Sequence, residues 1–151
     1  MEIDNRKSFL ELKVIWKDDD MLELKVTASN EDYFGTTDVY DTSNSLTNFA
    51  KSLIGYPKDD KVLLHEAGQI NSYAYFAMKF YCIDNAGHIG VQVNLEDNVG
   101  NQYRPEEKNK LTLEILVEPN AIDNFQRQLI QLAVKQTGIA ILHGRDHRPD
   151  N

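Results

Sequence analysis

Four histidines and one cysteine carry most of the chemistry open to this chain of 151 residues. His143 and His147 are four residues apart, the spacing that sets two imidazoles on one helix face for zinc. Gly144, Arg145 and Asp146 between them and Pro149 after them do not favour a helix, and no carboxylate-bearing motif accompanies the pair. Cys82 sits in an apolar run, where a small buried thiol is far commoner than a thiolate nucleophile partnered by His65 or His88. Asp38 with Asp41, and Glu66 beside His65, are pairs that acid–base catalysis could use. Abundant acids close in sequence do not, however, define a cleft or a shifted pKa. The eight glycines are scattered, and neither Gly87 nor Gly90 leads from a strand into a helix, so no phosphate cradle is expected. The residues therefore assign no catalytic group, no metal ligand and no cofactor.

The elements that would position these residues are easier to read. Leu-Glu-Leu-Lys-Val occurs twice, at Leu10 to Val14 and at Leu22 to Val26, with Lys17, Asp18, Asp19 and Asp20 between the copies. Each copy alternates apolar and charged residues with the period of two that a half-buried strand requires. The pair predicts a hairpin with Lys13 opposite Glu23, Glu11 opposite Lys25, Leu12 opposite Leu24 and Val14 opposite Leu22, closed by a three-residue loop at Lys17 to Asp19. Asp32 to Asp41 supplies a third strand, paired with the second, with Gly35 marking a bulge. Leu46, Phe49, Ala50 and Leu53 then follow at helical spacing behind candidate N-caps at Asp41 to Asn44, until Gly55 and Pro57.

Val62 to His65 reads as a brief strand, Tyr73 to Ile83 as a strand apolar on both faces, and His88 to Leu95 as its hairpin partner across the turn Asp84 to Gly87. A polar stretch from Asp97 to Lys110 reads as a mobile loop before a last strand at Leu111 to Val117. Pro119 opens a helix of about 18 residues that Gly138 ends. Ile139 to Leu142 reads as a short edge strand able to pair across a two-fold axis. The order β-β-β-α-β-β-β-α predicts an α+β fold: one antiparallel meander of about six strands with two helices on one side. Residues 1–142 are expected to form a single domain and 143–151 a disordered tail.

The formal charge is −8, from 24 acidic and 16 basic side chains. Phosphate backbones would be repelled, so no nucleic acid is expected. There is no run of 18 apolar residues and no secretory start, which predicts a cytoplasmic protein away from membranes. Complementary charge points to a basic protein partner, with Asp18, Asp19, Asp20, Glu106 and Glu107 as the candidate docking residues. The alternative is a small-ligand or enzymatic domain with an apolar pocket between sheet and helices, around Tyr73, Tyr75 and His88.

Trp16, the run Leu22, Leu24 and Val26, the pair Phe34 and Gly35, and Leu46 with Phe49 form a pattern in the first half. Gly87 to Val91, Leu113 with Ile115, and Ile122, Asp123, Phe125 and Leu129 continue it. The pattern resembles small bacterial immunity-type proteins of the wall-associated toxin class and related families. Two departures are an F-x-G without its middle residue and the acidic segment from Asp97 to Lys110. The resemblance implies a non-enzymatic protein that binds and neutralises one cognate toxin domain, with no catalytic residues to carry over.

Overall fold

The computed structural model describes residues 7–58, 62–70, 72–98 and 106–145. Its elements are β1 (Ser8–Lys17), β2 (Leu22–Asn30), β3 (Phe34–Asp41), α1 (Ser43–Ser52), β4 (Val62–Gly68), β5 (Ala74–Cys82), β6 (Ile89–Asp97), β7 (Lys110–Val117), α2 (Pro119–Lys135) and β8 (Ile139–His143). The fold is α+β and antiparallel throughout. The expected single meander is instead two four-stranded sheets, ordered β3-β2-β1-β8 and β4-β5-β6-β7. The break falls at α1, which carries the chain from one sheet to the other.

Both sheets turn an apolar face inward. The first presents Leu10, Leu12, Leu24, Val26 and Val39, the second Phe76, Met78, Phe80, Val91, Val93 and Ile115, and all of them are buried in one continuous core. α1 adds Leu46, Phe49 and Ala50, and α2 adds Ile122, Phe125, Leu129, Leu132 and Ala133. The two helices pack against each other, and α2 runs alongside β8. Phe80 joins the layers, its ring 5.8 Å from Phe49 and 6.5 Å from Phe125. β3 crosses the inner side of the second sheet, close to β4, β5 and β6. Gly35 permits that approach, because a Cβ there would stand 2.6 Å from Leu111 Cδ2. Its expected bulge is absent, for β3 pairs with β2 in unbroken register.

The helices begin and end close to where the sequence places them. Thr42 caps α1, its hydroxyl accepting from the Ser45 amide at 3.1 Å. Pro119 opens α2, but the helix stops at Lys135 with Gln136 left-handed (φ 56°), two residues before Gly138. The first three residues of the tail expected to be disordered, 143–145, are ordered instead. His143 belongs to β8, the Gly144 amide donates to Ser8 O at 2.8 Å, and the Arg145 amide donates to Leu116 O at 2.9 Å. Residues 146–151, and 99–105 of the expected mobile loop, lie outside the described residues.

One polar bridge is built into the core. The His65 Nε2 to Asp41 Oδ2 distance is 2.7 Å with both side chains buried, and Asp41 Oδ1 accepts the Thr42 amide at 2.7 Å. The pair ties the end of β3 to β4 and therefore one sheet to the other. The His65 ring lies against Phe49 at 5.3 Å. Removing one partner of a buried, hydrogen-bonded pair strands the other, so His65→Ala is expected to lower the unfolding free energy by about 3 kcal/mol. Asp41→Asn keeps an oxygen acceptor and is expected to cost less; urea denaturation of the two variants checks the order.

Candidate protein-interaction surface

The hairpin of β1 and β2 forms as expected but in a different register. Lys13 lies opposite Lys25, Leu12 opposite Val26 and Glu11 opposite Thr27, and the register slips by one residue between Val14 and Trp16. The expected Glu–Lys pairs are not made. Exposed ion pairs contribute only about 0–1 kcal/mol, too little to set the alignment. The turn sets it instead: Asp18 Oδ1 accepts the amides of Asp20 at 2.9 Å and Met21 at 2.8 Å, and the Asp18 amide donates to Met21 O. The turn is therefore the four residues Asp18 to Met21 rather than three. On its other side Lys25 lies directly opposite Asp38 of β3.

The slip has a consequence for Trp16, the only tryptophan. Strict alternation from Leu10, Leu12 and Val14 would turn Trp16 inward. The bulge at Ile15 reverses that, placing Trp16 opposite Glu23 on the outer face. Glu23 lies in turn opposite Tyr40. Trp16 and Tyr40 meet edge to face, with ring centroids 6.1 Å apart and planes at 87°, and remain 47% and 52% exposed. Ile15 and Met21 are exposed beside them. Glu23 stands between the two rings in register, Lys25 and Asp38 form the next outward pair along the same strands, and the exposed Asp18, Asp19 and Asp20 form the adjacent turn. The Met21 and Asp20 amides hold the Asp18 carboxyl below the ordinary carboxylate range. Sequence reading marked the aspartates and missed the aromatic pair, because a one-residue bulge leaves no signature in the alternation.

The other predicted site residues are dispersed. Glu106 and Glu107 precede β7, next to Lys108, which lines a groove of about 350 Å³ with Phe34, Gly35 and Thr36. Phe34 is at the far end of β3 from Tyr40, so these glutamates and the Asp18 turn do not share a surface. Tyr75 pairs with Glu96 at one end of the β5–β6 hairpin, whereas His88 lies just beyond the other end, where Cys82 pairs with Ile89. That separates Tyr75 from His88 by roughly 20 Å. Tyr73 is exposed, and its carbonyl accepts from the buried Asn98. Tyr73, Tyr75 and His88 thus form no common pocket.

His88 lines a hollow of about 320 Å³ floored by Ile83, Ile89, Leu116 and Val117. Every charged group around it has a partner: Asp84 sits 2.7 Å from His88 Nδ1, Glu118 3.5 Å from Arg145 Nε, and Glu114 accepts the Tyr81 hydroxyl. The bond to His88 lowers the Asp84 pKa. His143 is a strand residue of β8, and His147 lies outside the described residues. Among the described residues no three His, Cys, Asp or Glu side chains are grouped to hold a metal, and no helix is long and apolar enough to cross a membrane.

On the outer face of the second sheet, Tyr75 donates to Glu66 at 2.6 Å and Tyr81 to Glu114. Burial, reinforced by these acceptors, pushes each phenol up to about 12. Below pH 10 the phenols are protonated whether the chain is folded or not. Above it the unfolded chain loses those protons first, so stability falls between about pH 10 and pH 12. The double variant Tyr75→Phe, Tyr81→Phe is expected to show a shallower fall over that range in urea titrations. For the outer face of the first sheet, the neutral quencher acrylamide, which the neighbouring carboxylates do not repel, is expected to quench Trp16 fluorescence strongly in the native protein, as its 47% exposure implies.

Comparison with protein-family models, with curated proteins and with solved structures yields no match for this chain.

Proposed function

We propose that this domain is a non-enzymatic protein-binding module that engages a basic partner through the outer face of the β1–β2–β3 sheet, with Trp16 and Tyr40 as its anchors. The observation that carries the reading is the bulge at Ile15, which sends the sole tryptophan to the solvent side beside an exposed tyrosine. Trp, Tyr and Met are the residues that dominate interface cores, and a large ring held on a rigid strand loses little freedom on binding. The Asp19 and Asp20 carboxylates at the adjacent turn would steer a cationic protein toward that anchor and reject anionic ones. Such a mode of action is the one the immunity-type resemblance implies, with a toxin domain as the ligand.

The test is quantitative affinity capture from the source lysate with the wild-type chain and the double variant Trp16→Ala, Tyr40→Ala. The supporting result is a basic protein held by the wild type, released as salt rises, and reduced at least tenfold by the variant, as loss of interface anchors predicts. Equal capture by both chains would overturn the assignment. Because Trp16 is half exposed, the variant is expected to remain folded, with a stability change of about 1 kcal/mol or less. Charge reversal at Asp19 and Asp20 is expected to slow association at low salt and to matter little at high salt, whereas reversal at Glu106 and Glu107 leaves it unchanged. Asp18 is a poor choice for that experiment, since its carboxylate also closes the turn.

A further inference from the structure

Each sheet has two outer strands, and their edges differ in what covers them. On β7 the Glu114 carbonyl accepts Asn30 Nδ2 at 3.4 Å and the Leu116 carbonyl accepts the Arg145 amide at 2.9 Å, so the first sheet and the chain beyond β8 occupy that edge. On β8, the strand expected from sequence to self-pair, the outward amide of Ile141 donates to Gln128 Oε1 of α2 at 2.7 Å. On β3 the outward row is Phe34, Thr36, Asp38 and Tyr40, with a charge in its middle of the kind that discourages pairing. β4 has none of these defences. Its seven residues pair with β5 in unbroken register, and the Gln69 amide bond to Ala74 O fixes Val62, Leu64, Glu66 and Gly68 as the residues whose backbone groups point away from the sheet. Among the described residues no hydrogen bond reaches those groups. Val62 and Leu64 are 58% and 53% exposed, and the only charge in the row, Glu66, is drawn back toward β5 by the Tyr75 hydroxyl.

We propose that the β4 edge pairs with the β4 edge of a second copy of this chain across a two-fold axis, joining the two β4–β7 sheets into one of eight strands. An open row of amides and carbonyls is a template for an extended strand, and the occupant is set by which strand complements it. β4 complements itself. With Leu64 on the axis, Leu64 meets Leu64 of the second copy, and Val62 lies opposite Glu66 of that copy. All three pairings then use residues whose amides face outward. Shifting the axis to His65 sets Leu64 against Glu66 and Val62 against glycine, which wastes the apolar contact. The one charge in the row does not oppose this alignment, because Glu66, bonded back to Tyr75, sets no free carboxylate against the facing Val62. Strand-edge pairing alone covers less than the roughly 1,600 Å² of a standard interface, so the dimer is weak and concentration-dependent.

Analytical ultracentrifugation of the purified chain from micromolar to millimolar concentration tests this. The expected result is a monomer–dimer equilibrium whose dissociation constant rises at least tenfold in Leu64→Lys and is unchanged in Ile139→Lys on the covered β8 edge. Both sites are exposed, and circular dichroism confirms that each variant keeps its fold. A chain that stays monomeric to millimolar concentration would overturn the proposal. So would a dimer untouched by Leu64→Lys, or one that Ile139→Lys disrupts equally.

Discussion

Each of the eight described strands has an apolar face, and the two described helices cannot cover eight strands laid side by side. At a strand spacing near 4.8 Å a single sheet would be close to 40 Å wide. Two helices about 10 Å across, one of them only 10 residues long, would leave half of that width bare. Dividing the strands into two sheets resolves the shortage. β3 and its neighbours cover part of the second sheet directly, and α1 and α2 fill the remainder. Nearly every other feature answers to this division: the close approach at Gly35, the packing of Phe80 between Phe49 and Phe125, and the polar bridge from Asp41 to His65.

That bridge shows how a polar pair can be placed where apolar residues would be expected. Asp41 ends a strand and directly precedes the N-cap of α1, so its carboxylate serves two elements at once, accepting a backbone amide and facing an imidazole from the other sheet. A carboxylate with both oxygens engaged can be buried where an unpaired one could not. The arrangement specifies how β3 and β4 meet more sharply than interchangeable aliphatic contacts would.

The elements were largely legible from sequence. Leu46, Phe49, Ala50 and Leu53 mark α1, and the alternation through Ile89, Val91, Val93 and Leu95 marks β6, because local periodicity reports which face is buried. Alignments between strands were not legible. The Glu–Lys pairing of the first hairpin looked decisive on charge, yet the backbone bonds accepted by Asp18 and the bulge at Ile15 outweigh exposed ions. Nor did the pattern reveal two sheets, since alternation in a strand is the same whether its inner face meets a helix or another sheet. The residues of the proposed interaction surface divided accordingly. The aspartates of the turn could be named from composition, whereas Trp16 facing solvent depends on a single inserted residue that periodicity reads straight through.

β1 is flanked by β2 on one side and by β8 on the other, the earliest described strand joined to the last. On the ribosome, the β1–β2–β3 portion emerges long before its fourth strand exists. Until Ile139 to His143 leave the exit tunnel, β1 presents an unpaired edge and the inner face above it lacks Ala140 and Leu142. The chain can form its two meanders, β1 to β3 and β4 to β7, as it is made, yet must wait for β8 to close the first sheet. Any pause in translation before α2 therefore prolongs a state open to mispairing with neighbouring nascent chains.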